Sequence, residues 1–362
     1  LTGTGTYIHN PFNNDLSDED VFVHANEVFS TTSNLIIQKW FNGNVPLSGP
    51  TRIQSSIMGN VTLAANVPGG TWDQDGFFSV PSLNRIRGSL TVSAGTVVMD
   101  DGTGSTTSLI LQDVTINGTG NIVFQRGYNR NYSLQVNNFT VNSLAPAKPT
   151  VILDTSFGVL NMTVNGSMNI SHDFNMVYGA TFQSGADIRL TVNGNMNISG
   201  GEVIFNKQAN APLLLNVNGN TTLNNSSVGG VVCFIEGANG ALTMNTQDLT
   251  IAGGNANYFY GRPGIVPGAK GIANINISND FIVNGTSNTF IAYTDTNLLK
   301  VRVSVARDFI LNGNNSSLTG AYTNGAFTFK VFRNFTQTNG KFTGQAFRQN
   351  VSIDSIITGG NF

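Results

Sequence analysis

The sequence predicts an all-β chain, a single-stranded parallel β-helix (solenoid) of about ten rungs behind an N-terminal cap. Three observations predict it. A degenerate unit of about 28 residues recurs down most of the 362-residue chain. Inside each unit apolar and neutral polar residues alternate with a period of two, the signature of a half-buried strand. The strands are parted by Gly and Asn corners, in a chain holding 41 Gly and 49 Asn. A repeat of this length marks a stacked architecture, because no single unit can bury its own apolar face.

Residues 1–87 are expected to form an N-terminal cap fused to the first, irregular rungs. They carry Trp40, Trp72, His9, His24, several Pro and the acidic run Asp15-Leu16-Ser17-Asp18-Glu19-Asp20. An irregular, aromatic-rich segment suits the end of a solenoid, where strand edges and apolar surface would otherwise lie open.

Residues 88–362 read as the rungs. After a first copy near Leu90, the apolar residue following the polar corner falls at Val114, Phe139, Met168, Met196, Thr221, Leu249, Phe281, Phe309 and Phe335. The spacings are 25, 29, 28, 25, 28, 32, 28 and 26 residues, as insertions confined to loops would produce. The unit is clearest in Leu190-Thr191-Val192-Asn193-Gly194-Asn195-Met196-Asn197-Ile198-Ser199-Gly200-Gly201. A later strand in the unit is bulkier, as in Val203-Ile204-Phe205, Val231-Val232-Cys233-Phe234-Ile235 and Phe290-Ile291-Ala292-Tyr293. Two or three short strands per turn follow, with corner Asn amides laddering from rung to rung. A β-sandwich competes, since Asn193-Gly194, Asn218-Gly219, Asn284-Gly285 and Asn312-Gly313 also suit type I′ hairpins. Val351-Ser352-Ile353-Asp354-Ser355-Ile356-Ile357 still reads as a rung with no polar cap behind it. The rod is therefore expected to continue past the chain or to abut another subunit.

Charged residues are only 10% of the chain and the net charge is −2, so no basic field exists to hold nucleic acid or an anionic membrane. No run of 18 apolar residues exists to span a bilayer. The opening at Leu1, without a signal peptide, suggests a processed product or a section of a longer protein. Low charge with abundant Asn, Gly and Thr favours an extracellular one. Cys233, the single cysteine, lies among Val231, Val232, Phe234 and Ile235 and is expected to be buried.

Several stretches carry a family resemblance: Tyr7-Ile8-His9-Asn10-Pro11, Gln38-Lys39-Trp40-Phe41, Trp72-Asp73-Gln74-Asp75-Gly76-Phe77-Phe78, Asn84-Arg85-Ile86-Arg87-Gly88-Ser89-Leu90-Thr91-Val92 and the Val-Asn-Gly-Asn-Met-Asn-Ile-Ser-Gly-Gly repeat. Together they resemble large repetitive secreted surface proteins of Bacteroidota. The resemblance implies export by the type IX secretion system and an adhesin-like or matrix role at the cell surface. It supplies no catalytic residues, and residues 300–362 show no sorting domain.

Parallel β-helices include polysaccharide lyases and hydrolases, which need converging carboxylates. The acids that align between rungs are Asp248, Asp280 and Asp308, with Asn279 and Arg307 beside them. Stacking would put Asp280 and Asp308 about 5 Å apart, the separation of a retaining glycosidase pair. Alternatively, Asp simply replaces Asn in a corner ladder. Asp73, Asp75, Asp100 and Asp101 are candidate Ca²⁺ ligands or ordinary turn residues, since neither pair continues into an EF-hand loop. His9, His24 and His172 lack metal-site spacing, and no Gly-x-Ser-x-Gly elbow occurs. No cofactor is expected. Tyr258, Phe259 and Tyr260 are a candidate aromatic platform for a carbohydrate-binding or phage-receptor role. Asp354-Ser355-Ile356 resembles a Bacteroidota O-glycosylation site at Ser355. Asn-x-Ser/Thr sequons such as Asn138, Asn169, Asn197, Asn220, Asn276 and Asn334 follow from composition. The expected function is an extracellular structural or adhesin-like rod that forms a fibre or coat. Its partners would be other copies of itself, neighbouring surface proteins or surface glycans, without nucleic acid or membrane insertion.

Overall fold

A computed structural model describes residues 5–9, 32–37, 59–63, 71–73, 88–94, 96–98, 107–126, 131–143, 150–154, 159–178, 187–207, 211–225, 230–236, 240–261, 272–292, 300–321, 326–343, 348–351 and 355–357. Among them every element is a strand, and strands pair in parallel with their equivalents in the rungs before and after. Among the described residues one sheet has 24 strands and the other 10. The larger is two columns joined through the 12-residue strand Leu249–Tyr260, which contributes to both. Each full rung thus lays one strand in each of three columns: a first, as in Met196–Ile198, a second, as in Glu202–Asn206, and a third, as in Leu213–Val217, which pairs with Asp187–Val192 of the rung before.

The anchors align as the spacing predicts. Val114, Phe139, Met168, Met196, Thr221, Leu249, Phe281, Phe309 and Phe335 are register partners in unbroken succession. The same file extends backward through Leu90, Val61 and Leu35 to Tyr7, and forward to Ser355. The described strands of residues 1–87 therefore belong to the stack, as the first irregular rungs expected there. Thr6–His9, Asn34–Ile37 and Asn60–Leu63 join the anchor column, and Thr71–Asp73 joins the next. Among the described residues the anchor column exceeds the ten rungs expected. At about 4.8 Å per rung, the column from Tyr7 to Ser355 is roughly 60 Å long.

Alternation decides which side chains face inward. Strands such as Met168–Ile170, Met196–Ile198, Phe281–Val283 and Phe309–Leu311 bury their first and third residues and half-expose the second. The core is one continuous cluster running from Val61 to Phe342. Within it Phe205, Phe234 and Phe259 stack with ring centroids 5.1 and 5.0 Å apart, the same residue type meeting itself in successive rungs. The polar anchor Thr221 is tolerated because its hydroxyl lies 3.0 Å from that of Thr246, which donates to the Asp248 carbonyl at 3.0 Å.

The Asn-Gly steps are corners between columns, so the sandwich alternative falls. Gly194 N–H donates to the Gly166 carbonyl at 2.8 Å, and Gly219 N–H to the Gly194 carbonyl at 3.1 Å. Turn stacks on turn, so closely that a Cβ on Gly194 would sit 2.6 Å from the Gly166 oxygen. Several corners of the next kind use a left-handed residue: Gly201 has φ +78°. Insertions collect between the second and third columns, where the connection from Tyr260 to Ile272 is longer than that from Asn206 to Leu213. That difference underlies the widest anchor spacing.

Candidate functional site

Along most of the anchor column, the residue before the anchor builds a polar ladder. Its side-chain oxygen accepts the backbone N–H of the equivalent residue one rung on. Ser89 donates to Asn60 Oδ1 at 2.8 Å, Asn138 to Asp113 Oδ1 at 3.1 Å, Ser167 to Asn138 Oδ1 at 3.0 Å and Asn220 to Asn195 Oδ1 at 2.9 Å. The aligned acids belong to the same file. Asp280 donates to Asp248 Oδ1 and Asp308 to Asp280 Oδ1, each at 3.0 Å, and Asn334 donates to Asp308 Oδ1 at 3.2 Å. At an N–H left over at each corner, Asn, Asp and Ser are chemically equivalent acceptors, which is why they interchange there.

Stacking does bring Asp280 and Asp308 into neighbouring rungs, but their carboxylates are engaged. Asp308 accepts from Arg333 Nε at 2.7 Å, from Arg333 Nη2 and from Asn334 Nδ2 at 2.9 Å. The bonded Arg333 guanidinium holds the Asp308 carboxyl below the usual carboxylate range, with burial opposing it and the Asn334 amides adding to it. Asp280 faces Arg307 at 3.5 Å. This arrangement caps turns and pairs surface charges. A glycosidase acid, by contrast, needs a carboxyl raised by an apolar or anionic environment.

Other sequence candidates scatter. Asp73 ends a second-column strand whose partner residue is Val98, while Asp75, Asp100 and Asp101 lie outside the described residues. Among the described residues no group of three or more His, Cys, Asp or Glu is placed to hold a metal. His172 Nδ1 lies 3.0 Å from the Ser171 hydroxyl. Cys233 is fully buried, as expected, against Ile204 and Tyr258. Tyr258, Phe259 and Tyr260 are 8%, 0% and 1% exposed, which overturns the aromatic platform. They form a second-column strand, and the Tyr260 hydroxyl donates to the Gly240 carbonyl at 2.7 Å. Burial pushes that phenol well above its ordinary pKa. Ser355 lies in a strand, in register with the buried anchor Phe335.

Amide ladders occupy other files too. Asn245 donates to Asn216 Oδ1 at 2.7 Å and Asn276 to Asn245 Oδ1 at 2.8 Å on the outer face of the third column. Asn197 donates to Asn169 Oδ1 at 2.9 Å beside the anchors. The sequons at Asn138, Asn169, Asn197, Asn220, Asn276 and Asn334 therefore coincide with ladder residues.

Beside the third-column ladder runs a groove of about 500 Å³, lined among others by Asn218, Asn245, Gln247, Asn276, Ser278 and Phe332. Among the described residues no Asp, Glu, Lys or Arg lines it. Phe332 is 51% exposed at one end. Sequence reasoning missed this groove, although one signal existed: Phe332 stands at the outward corner that Ala306 and Ser278 hold in the two rungs before.

These features define a class, a parallel β-solenoid with three strand columns and laddered amide corners. No family model, curated protein or solved structure matches the chain.

Proposed function

We propose that the chain is a structural, adhesin-like rod displayed outside the cell. The observation that carries this reading is the corner ladder: what recurs from rung to rung is a backbone-capping Asn, Asp or Ser. A scaffold needs that repetition, whereas a catalytic site needs a local departure from it. The aligned acids are engaged in the same capping. Neutral amide ladders also suit an exposed setting, because they contain few ion pairs for salt to screen or for pH to break. Copies of itself and neighbouring surface proteins are the proposed partners, following the resemblance to repetitive surface proteins of Bacteroidota.

Electron microscopy of the purified chain tests this, together with a reducing-end assay on polysaccharides. Rods or fibres without released ends are expected. Turnover of a polysaccharide, abolished by Asp280→Asn, would sink the scaffold reading.

A further inference from the structure

We propose that the groove beside the third column binds a neutral glycan chain lying along the solenoid axis. The inference rests on the adhesin-like reading and supplies the surface it would use. Its lining comes from five successive rungs, from Asn218 to Phe332, so it extends roughly 19 Å along the axis. A hydroxyl-rich ligand needs donors and acceptors together, and each Asn or Gln amide offers both. The ladders hold these amides in place before any ligand arrives. Asn218 donates to Asn193 Oδ1 at 2.9 Å, and Asn245 and Asn276 are tied into their own file. Such preorganisation lowers the ordering cost of binding.

At the end of the groove the half-exposed Phe332 ring can stack on the apolar C–H face of a pyranose. The absence of charge among the described lining residues selects neutral chains, because an anionic or cationic ligand would be desolvated without a counter-charge. An extended peptide fits less well. The backbone of Asn245 and Asn276 is already paired within the sheet, which closes the strand-addition mode.

The test is affinity electrophoresis of the full chain through gels containing barley β-glucan, galactomannan or dextran, with polygalacturonate as the anionic control. Retardation by at least one neutral polymer is expected. Phe332→Ala should weaken that binding about tenfold, Phe332→Trp should retain it, and Asn218→Ala should weaken it to a lesser degree. Phe332 is exposed, so circular dichroism should show the variants folded. Retardation by none of the neutral polymers, unchanged binding by Phe332→Ala, or equal retardation by polygalacturonate would overturn the proposal. Microscopy separates the two readings: rods that bind nothing count against the groove, whereas loss of rods counts against the scaffold.

Discussion

Asp280 distinguishes a ladder from a catalytic pair. Its Oδ1 accepts the Asp308 N–H at 3.0 Å, and its own N–H donates to Asp248 Oδ1 at the same distance. Asp280→Asn keeps an oxygen in place and loses its charge attraction to Arg333 and the contact with Arg307, whose side chain is 47% exposed. An exposed pair of this kind contributes at most about 1 kcal/mol. Asp280→Ala instead leaves the Asp308 N–H without its acceptor at a partly buried corner, which costs about 1–3 kcal/mol. Amide hydrogen exchange at Asp308 reads this directly, since opening there is local in a stack whose rungs touch only their neighbours. The alanine variant should exchange about tenfold faster or more at Asp308, with the asparagine variant close to wild type. Equal acceleration by both would show that the negative charge, and not the acceptor oxygen, holds the corner, and the ladder argument would fail.

Three further outcomes follow from the same geometry. Phe234→Ala removes the middle ring of the Phe205, Phe234 and Phe259 stack and should cost about 3–5 kcal/mol; loss of protection should centre on the adjoining rungs, and a uniform loss along the chain would contradict the repeat picture. Gly201→Ala puts a Cβ 2.2 Å from the His172 carbonyl carbon at φ +78°, so thermal melting should fall by several degrees, more than for alanine at the exposed Gly5. Asp308 has a lowered folded pKa, so its contribution is complete above the unfolded value of about 3.9 and fades as pH falls through the folded one. Urea midpoints of wild type and Asp308→Asn should therefore differ most near neutrality and converge as pH drops below about 4. A gap that stays constant on acidification would refute the assignment.

The fold was legible because stacking forces like onto like. Once Met168 and Met196 are aligned, Asn169 meets Asn197 and Ile170 meets Ile198 without further choice, and period-two alternation settles which of them face inward. The site was less legible. Asp280 and Asp308 could be placed in neighbouring rungs from spacing alone, but not the backbone N–H groups and Arg333 that engage them. Tyr258-Phe259-Tyr260 reads as a platform in one dimension because alternation fails there: both faces of that strand are covered, so no polar residue breaks the run.

What the sequence by itself determined is the rung: its period, its inward apolar file and its Asn or Gly corner, all properties of residues close together in the chain. Only the tertiary structure decided how far the stack reaches back, that corner acids serve as acceptors, and that amides from five rungs share one groove with Phe332. Those relations join residues about 28 positions apart through backbone hydrogen bonds. Each rung contributes one side chain to every file, so a surface exists only after the rungs are stacked.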